Sequence, residues 1–298
     1  MSEPPSDIPA KTSRRAPAPQ PPEPGLNIVS TPIGNLRDIT LRALDALAGA
    51  DRILAEDTRV AWKLMDAYGI SAKVQPYHDH NGAKMRPEIL QALADGERVV
   101  LISDAGTPLI SDPGYKLVRE VISAGYAVRS LPGPSALLAG LAASGLPSDA
   151  FFFAGFLPPR TGSRKNRLQE LAVIPGTLIF YESGPRLAAC LADIAFVLGD
   201  RDAVVARELT KKFEEYRRGT TSELAAYYAG GGAPRGEITL LIGPGDAGGN
   251  VQMDVDAELT ALIPGLGVKG AAAKVAQATG LSKRDLYARA QALKEGGV

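Results

Sequence analysis

Between Leu26 and Ile242 the chain alternates short apolar runs with amphipathic stretches, and this alternation restricts its fold more than any other feature. The runs LNIVSTP, DRILAED, RVVLISDAG and AVRSLPG are interleaved with RDITLRALDALAGA, TRVAWKLMDAYG, PEILQALADG and YKLVREVISAG. Runs this short, rich in β-branched residues and separated by helical periodicity, predict the strands of a largely parallel sheet with crossover helices. A first α/β domain is thus expected over residues 26–145. After the Gly/Pro break SGLPSD the pattern resumes with FFFAGFLP, RTGSRKNRLQELAVI, GTLIFYES, RLAACLADIAFVLG, AVVARELT and EITLLIGPG, which predicts a second α/β domain over residues 146–246.

The two ends read differently. Residues 1–25 hold eight prolines and almost no large apolar side chains, so they cannot offset the entropy of ordering and are expected to form a disordered tail. GDAGGN, residues 245–250, reads as a flexible linker into a helical tail over residues 250–298. There GVKGAAAKVAQATG is helical, Gly280 and Leu281 make a turn, Ser282 caps the next helix and Leu286 faces inward. Two arrangements fit: a helix-turn-helix-like unit offering Lys283, Arg284 and Arg289 to phosphates, or a hairpin packed on the main body.

Composition narrows the classes. Lys and Arg total 33, as do Asp and Glu, so any nucleic-acid partner must be held by local patches. The single cysteine, Cys190, cannot form an internal disulfide and reads as a small buried hydrophobe; this fits a reducing compartment, and a cytoplasmic location is expected. No apolar run approaches the roughly 20 residues that span a bilayer, and no signal-peptide stretch is seen, so no membrane association is expected.

The chemistry concentrates in VVLISDAGTPLISDPG. A buried strand, Val99 to Ile102, runs directly into a loop containing Gly106, Pro108, Pro113 and Gly114, which glycine opens to close ligand approach and proline stiffens. Asp104 and Asp112 then fall at and beyond the carboxyl end of that strand, where open α/β sheets bind ligands. An ordinary tight turn capping the next helix would explain the same residues. Neither GxGxxG nor GxxxxGK[ST] occurs, which removes support for a nicotinamide or ATP enzyme. Gly and Pro recur instead after other strands, in STPIGN, LPGPSA and YESGP.

In their order and spacing, STPIGNLRDIT, AEDTR, YHDHN, LISDAGTPLISDPG, LPGPSA, FYESGPR, ARELTKKFEE and RGEITLLIG resemble the ribosomal RNA small subunit methyltransferase I family. These are ribose 2'-O-methyltransferases of the tetrapyrrole-methylase-like class, and the likeness spans about residues 26–245, with the tail resembling the family's C-terminal extension. The resemblance implies two α/β domains with a cleft between them for S-adenosyl-L-methionine. It also implies a cytidine of 16S ribosomal RNA, free or in the small ribosomal subunit, as substrate, and a homodimer.

By position, the resemblance assigns the cofactor to Pro32, Asp104, Ala105, Gly106, Leu109, Ser135, Ala136, Tyr181, Ala206, Arg207, Gly236 and Glu237. Glu56, Asp57 and His80 are the candidates for taking the hydroxyl proton. Arg59, Arg160, Arg164, Lys165, Arg167 and Lys211 are the candidates for RNA phosphates, although a solvated helix face or a local salt bridge would explain several of them. His78 and His80 would share one side of a strand, but no third ligand accompanies them and no metal is assigned. The family has an acidic residue where Gly82 stands here. Trp62, at helical spacing from Met65, reads as core. Two other functions remain open: a tetrapyrrole C-methyltransferase of the same fold, and a non-catalytic RNA-binding module.

Overall fold

In the computed structural model, residues 20–245, 255–279 and 282–295 are described. The expected tail over 1–25 therefore lies mostly outside them, as do most of GDAGGN and the Gly280–Leu281 turn. Pro21 packs where a side chain on Gly49 would otherwise sit, so the last residues before the first strand lie against the body.

The first sheet holds β1 (Gly25–Val29), β2 (Arg52–Ala55), β3 (Val74–Pro76), β4 (Arg98–Ile102) and β5 (Val128–Leu131) in the order β3-β2-β4-β1-β5. Every pairing is parallel. Helices must then cover both faces, which is why β1 and β2 are buried along their whole length. One face packs on α1 (Leu41–Ala48) and α2 (Thr58–Ala67), with Leu47, Ile53, Met65 and Val100 at its centre. The other packs on α3 (Gly82–Ala94) and α4 (Tyr115–Ser123) through Leu54, Ile89, Leu101 and Leu117. β1 passes its chain towards β2, and β4 passes its chain the other way, towards β5. The neighbouring strands β1 and β4 thus form a switch point, the place where such sheets open a crevice beyond their carboxyl ends.

The second sheet holds β6 (Phe151–Phe156), β7 (Thr177–Ser183), β8 (Asp202–Arg207), β9 (Glu215–Thr220) and β10 (Glu237–Ile242), ordered β6-β7-β10-β8-β9. It is mixed: β6 and β7 are parallel, and the other pairs antiparallel. Alternation sorts its side chains. Leu178, Phe180, Val205 and Leu240 face α6 (Thr161–Leu171), α7 (Gly184–Leu198) and α8 (Thr221–Gly231), whereas Ile179, Val204, Ala206 and Leu241 face α5 (Ala136–Ser144). Cys190 is wholly buried in the first of these layers, and burial pushes its thiol pKa well up.

Helix α5 corrects the expected boundary at residue 145. It follows β5 of the first sheet, yet Leu137 and Leu141 pack on the second, and a side chain at Gly140 would meet Thr239 of β10 at 3.1 Å. Its sequence, ALLAGLAAS, is apolar on all sides, as a helix wedged between layers requires. The chain passes between the sheets at LPGPSA.

The C-terminal helices α9 (Val255–Thr279) and α10 (Lys283–Glu295) build a core of their own from Leu259, Ala271, Ala272, Val275, Leu286 and Ala290. Ser282 caps α10, its hydroxyl accepting from the Asp285 N–H. Arg289 pairs with Asp256 at 2.5 Å, which engages one of the cations expected for phosphate. One stretch, Glu258–Ala276, is long and apolar enough to cross a membrane, with mean hydropathy 1.2, contrary to the expectation that none is. It is broken at Gly267, where φ is 66°, and its small apolar residues pack on α10.

Candidate active site between the two sheets

Five loops leave the carboxyl ends of the first sheet, and backbone and hydroxyl hydrogen bonds fasten three of them together. Thr31 and Gly106 exchange both backbone hydrogen bonds, at 2.9 and 3.0 Å, and the Thr31 hydroxyl donates to the Ser103 carbonyl at 3.2 Å. Thr107 joins Ser30 at 3.0 Å and donates to Pro134 of LPGPSA at 3.2 Å. At Gly106 φ is 78°, a left-handed conformation that favours glycine, and Leu109 and Ser111 hold positive φ in the same loop. A fourth loop, AEDTR, is held by the Asp57 N–H, which donates to Asp104 Oδ1 at 3.0 Å.

The second sheet closes the other side. Asn35 N–H donates to the Thr210 hydroxyl at 3.0 Å, and Lys211 lies against Gly34. Lys211 binds Glu208 at 2.8 Å and Glu237 at 2.7 Å. Between the two sheets lies a cleft of about 520 Å³, within the range of small-molecule sites. Of the residues that the resemblance assigns to the cofactor, Asp104, Ala105, Gly106, Ser135, Ala136, Tyr181, Gly236 and Glu237 line it. Pro32 lines an adjoining cavity of about 340 Å³ that shares Ile33, Asp104, Ala105 and Glu237 with the cleft.

Three expected cofactor residues fall elsewhere. Leu109 packs into the first sheet's core, Ala206 is wholly buried under α5, and Arg207 is held by Glu215 at 2.9 Å. The cleft instead recruits Ile110, Phe156, Leu209, Ile238 and Thr239, which the sequence reading passed over. Tyr181 stacks edge-on to Phe153 and Phe156, so its ring is fixed as a wall.

Among the described residues, five carboxylates line the cleft and no lysine or arginine does. Glu237 is paired with Lys211, and Glu182 faces Arg186 at 3.2 Å. Glu56, Asp104 and Asp112 have no ion pair among the described residues. Burial pushes the Glu56 pKa up, and the nearby Asp104, Asp112, Asp79 and Asp57 push it further. Burial likewise raises Asp112, helped by Asp104.

Of the three candidate proton acceptors, only Glu56 lines the cleft. Asp57 is clamped by Arg59 at 2.5 Å, and the side-chain and backbone hydrogen bonds from Arg59 lower its pKa to about 2. His80 is exposed in a turn beyond β3, organised by Asn81, whose side chain accepts from the His78 N–H at 2.9 Å. The two imidazoles are thus not on a strand; their rings meet edge-on at 5.9 Å. A side chain at Gly82 would press on Tyr77 at 3.2 Å, which suits glycine there.

The basic run also needs correction. Arg164 is 2% exposed and binds Asp193 at 2.7 Å, so it cannot reach an RNA phosphate. Lys165 sits 3.6 Å from the same carboxylate with its ammonium over Phe196, and Arg167 pairs with Glu170. Arg160 is exposed at the start of α6. Lys211, expected to hold RNA, is engaged by its two glutamates at the cleft. Trp62 is 48% exposed and not core, because the buried stripe of α2 is Ala61, Leu64 and Met65.

A doubly wound first sheet, a mixed second sheet and a cleft between them define a tetrapyrrole-methylase architecture. The tetrapyrrole (corrin/porphyrin) methylases match residues 25–225, and the RsmI C-terminal HTH domain matches residues 250–294. Uroporphyrin-III C-methyl transferase from Thermus thermophilus, solved complexed with S-adenyl homocysteine, shares this fold with a TM-score of 0.52 at 18% identity, over 74% of this chain and 97% of that one. Ribosomal RNA small subunit methyltransferase I of Mesorhizobium japonicum is 51% identical over 93% of this chain and 94% of its own length. The protein of the same name from Vibrio cholerae is 47% identical over 89% and 93%. The chain belongs to the ribosomal RNA small subunit methyltransferase I family of tetrapyrrole methylases.

Proposed function

We propose that this protein is an S-adenosyl-L-methionine-dependent methyltransferase acting on the ribose 2'-hydroxyl of a cytidine in 16S ribosomal RNA. The observation that carries the reading is the cleft's charge: among the described residues, Glu56, Asp104 and Asp112 have no ion pair and no cationic side chain lines the walls. Such a lining attracts a ligand bearing a sulfonium and an ammonium and repels a phosphate-bearing cofactor. The donor supplies a methyl carbon on positively charged sulfur. Exposed Asp104 is placed to accept hydrogen bonds from it, Gly106 and Gly236 bring backbone close to it, and Tyr181 and Ile238 give apolar contact.

The chain's main task is alignment, since approach to about 3–3.5 Å in line supplies much of the rate. Glu56 takes the proton lost by the hydroxyl; its raised pKa brings it nearer the working pH. The relatives' names favour ribosomal RNA over a tetrapyrrole. A cytoplasmic location, a homodimer and contact of α9 and α10 with the small ribosomal subunit belong to the same proposal. Mapping 2'-O-methylation of ribosomal RNA from cells with and without the gene tests it. Loss of one cytidine modification in the small-subunit RNA is expected, and an unchanged map would sink the reading.

A further inference from the structure

Two cavities meet beyond the carboxyl ends of β1 and β4, and their charges differ. Among the described residues the cleft carries carboxylates and no cation, whereas the smaller cavity, between the 31–36 loop and α2, brings Lys63 and Lys211 to apolar walls that include Leu36, Val60 and Leu64. Lys211 is committed to Glu208 and Glu237. Lys63 is exposed and has no ion pair among the described residues, and the same holds for Arg37 beside Leu36.

We propose that the smaller cavity is the acceptor site, taking one unstacked nucleotide of RNA with its ribose at the shared wall and a phosphate towards Lys63. This rests on the methyltransferase reading above. Methyl transfer needs donor and acceptor in contiguous compartments, and Ile33, Asp104, Ala105 and Glu237 belong to both. At about 340 Å³ the cavity stands at the small end of ligand sites. Its apolar lining suits a base turned out of its stack, because RNA is read mostly where bases are splayed. Free cations at its rim suit a phosphate, which the acid-rich cleft would repel. Unlike the basic run at α6, Lys63 stands beside the donor compartment.

Two variants of the full chain test the assignment. Leu36→Trp narrows the cavity from a position already 47% exposed, and Lys63→Glu reverses the rim charge on an exposed face of α2. Both are measured for methyl transfer from S-adenosylmethionine to small ribosomal subunits lacking the modification, and for S-adenosylhomocysteine affinity by calorimetry. Leu36→Trp is expected to lower kcat/KM for the subunit about tenfold or more, the scale of a steric mismatch in an apolar pocket. Lys63→Glu should raise the KM for the subunit and flatten the salt dependence of RNA binding by about one log–log unit, as loss of one phosphate contact does. S-adenosylhomocysteine affinity should stay at the wild-type value in both. Wild-type transfer by both variants would overturn the proposal, and product affinity falling in step with transfer would give the cavity to the donor instead. A wild-type protein that binds S-adenosylhomocysteine but methylates no subunit would bring down the underlying reading, and this site with it.

Discussion

Both sheets carry five strands, but they place their charges in opposite ways. The first leaves Glu56, Asp104 and Asp112 at its strand ends, open to the cleft and without ion pairs among the described residues. The second keeps a deeply buried pair, Arg164 and Asp193, behind the sheet, between α6 and α7, at 3% and 10% side-chain exposure. The unpaired groups cost stability and are available to a ligand, whereas the buried pair satisfies itself and is unavailable to anything else. A charged residue in this fold is therefore interpreted by the side of the sheet it occupies.

Breaking the pair should give the largest effect. Arg164→Ala leaves Asp193 buried with only Lys165 nearby, and a loss of about 3–5 kcal/mol is expected in denaturant unfolding, as for other half-removed buried pairs. The salt dependence of RNA binding should not move, and a flattened slope would return Arg164 to the RNA surface. Next, Glu56→Gln should lower kcat about 100-fold, the scale of a lost general base. In the wild type, transfer should fall as pH drops through the raised Glu56 pKa, and the variant should lack that limb.

Stability should move the other way. A carboxyl whose folded pKa is raised favours folding below its unfolded pKa, and that contribution is lost as pH rises through the folded value. Glu56→Gln should therefore melt at or above the wild-type temperature at neutral pH, with the difference vanishing in acid. A variant that melts lower at neutral pH would contradict the unpaired assignment. Smaller again, Asp104→Ala should weaken S-adenosylmethionine about tenfold by calorimetry, the scale of one hydrogen bond to a charged group. Trp62→Ala should change stability by no more than about 0.5 kcal/mol, as at other exposed sites; a larger loss would put Trp62 back in the core.

The same contrast governs what the sequence discloses. The first sheet's loops are legible because Gly106, Pro108, Pro113 and Pro134 interrupt an otherwise apolar pattern, and those interruptions are the site. The second sheet contributes Ile238 and Thr239 from β10, a strand buried continuously from Ile238 to Ile242, so nothing local marks which of its residues reach the cleft. Arg164 was concealed by its neighbours in RTGSRKNR. Its spacing to Leu168 and Leu171 is the inward stripe of α6, a signal that outweighs the charge of the run. Trp62 misleads in the reverse sense: it lies next to the stripe formed by Ala61, Leu64 and Met65. Helix α5 offers no stripe at all, and only tertiary packing shows that it belongs to the second sheet.

The backbone bridge between Thr31 and Gly106 has a consequence for assembly. Thr31 also reaches Ser103, 72 residues away, and both contacts require β4 to have inserted between β1 and β2. Pairings of such long sequence separation are slow to form, because loop closure precedes any gain. The floor of the cleft thus exists only once β4 is in place, and a ligand that needs it cannot bind a precursor lacking that strand. Ligand-induced stabilisation, which grows with concentration over Kd, reports that the sheet is complete.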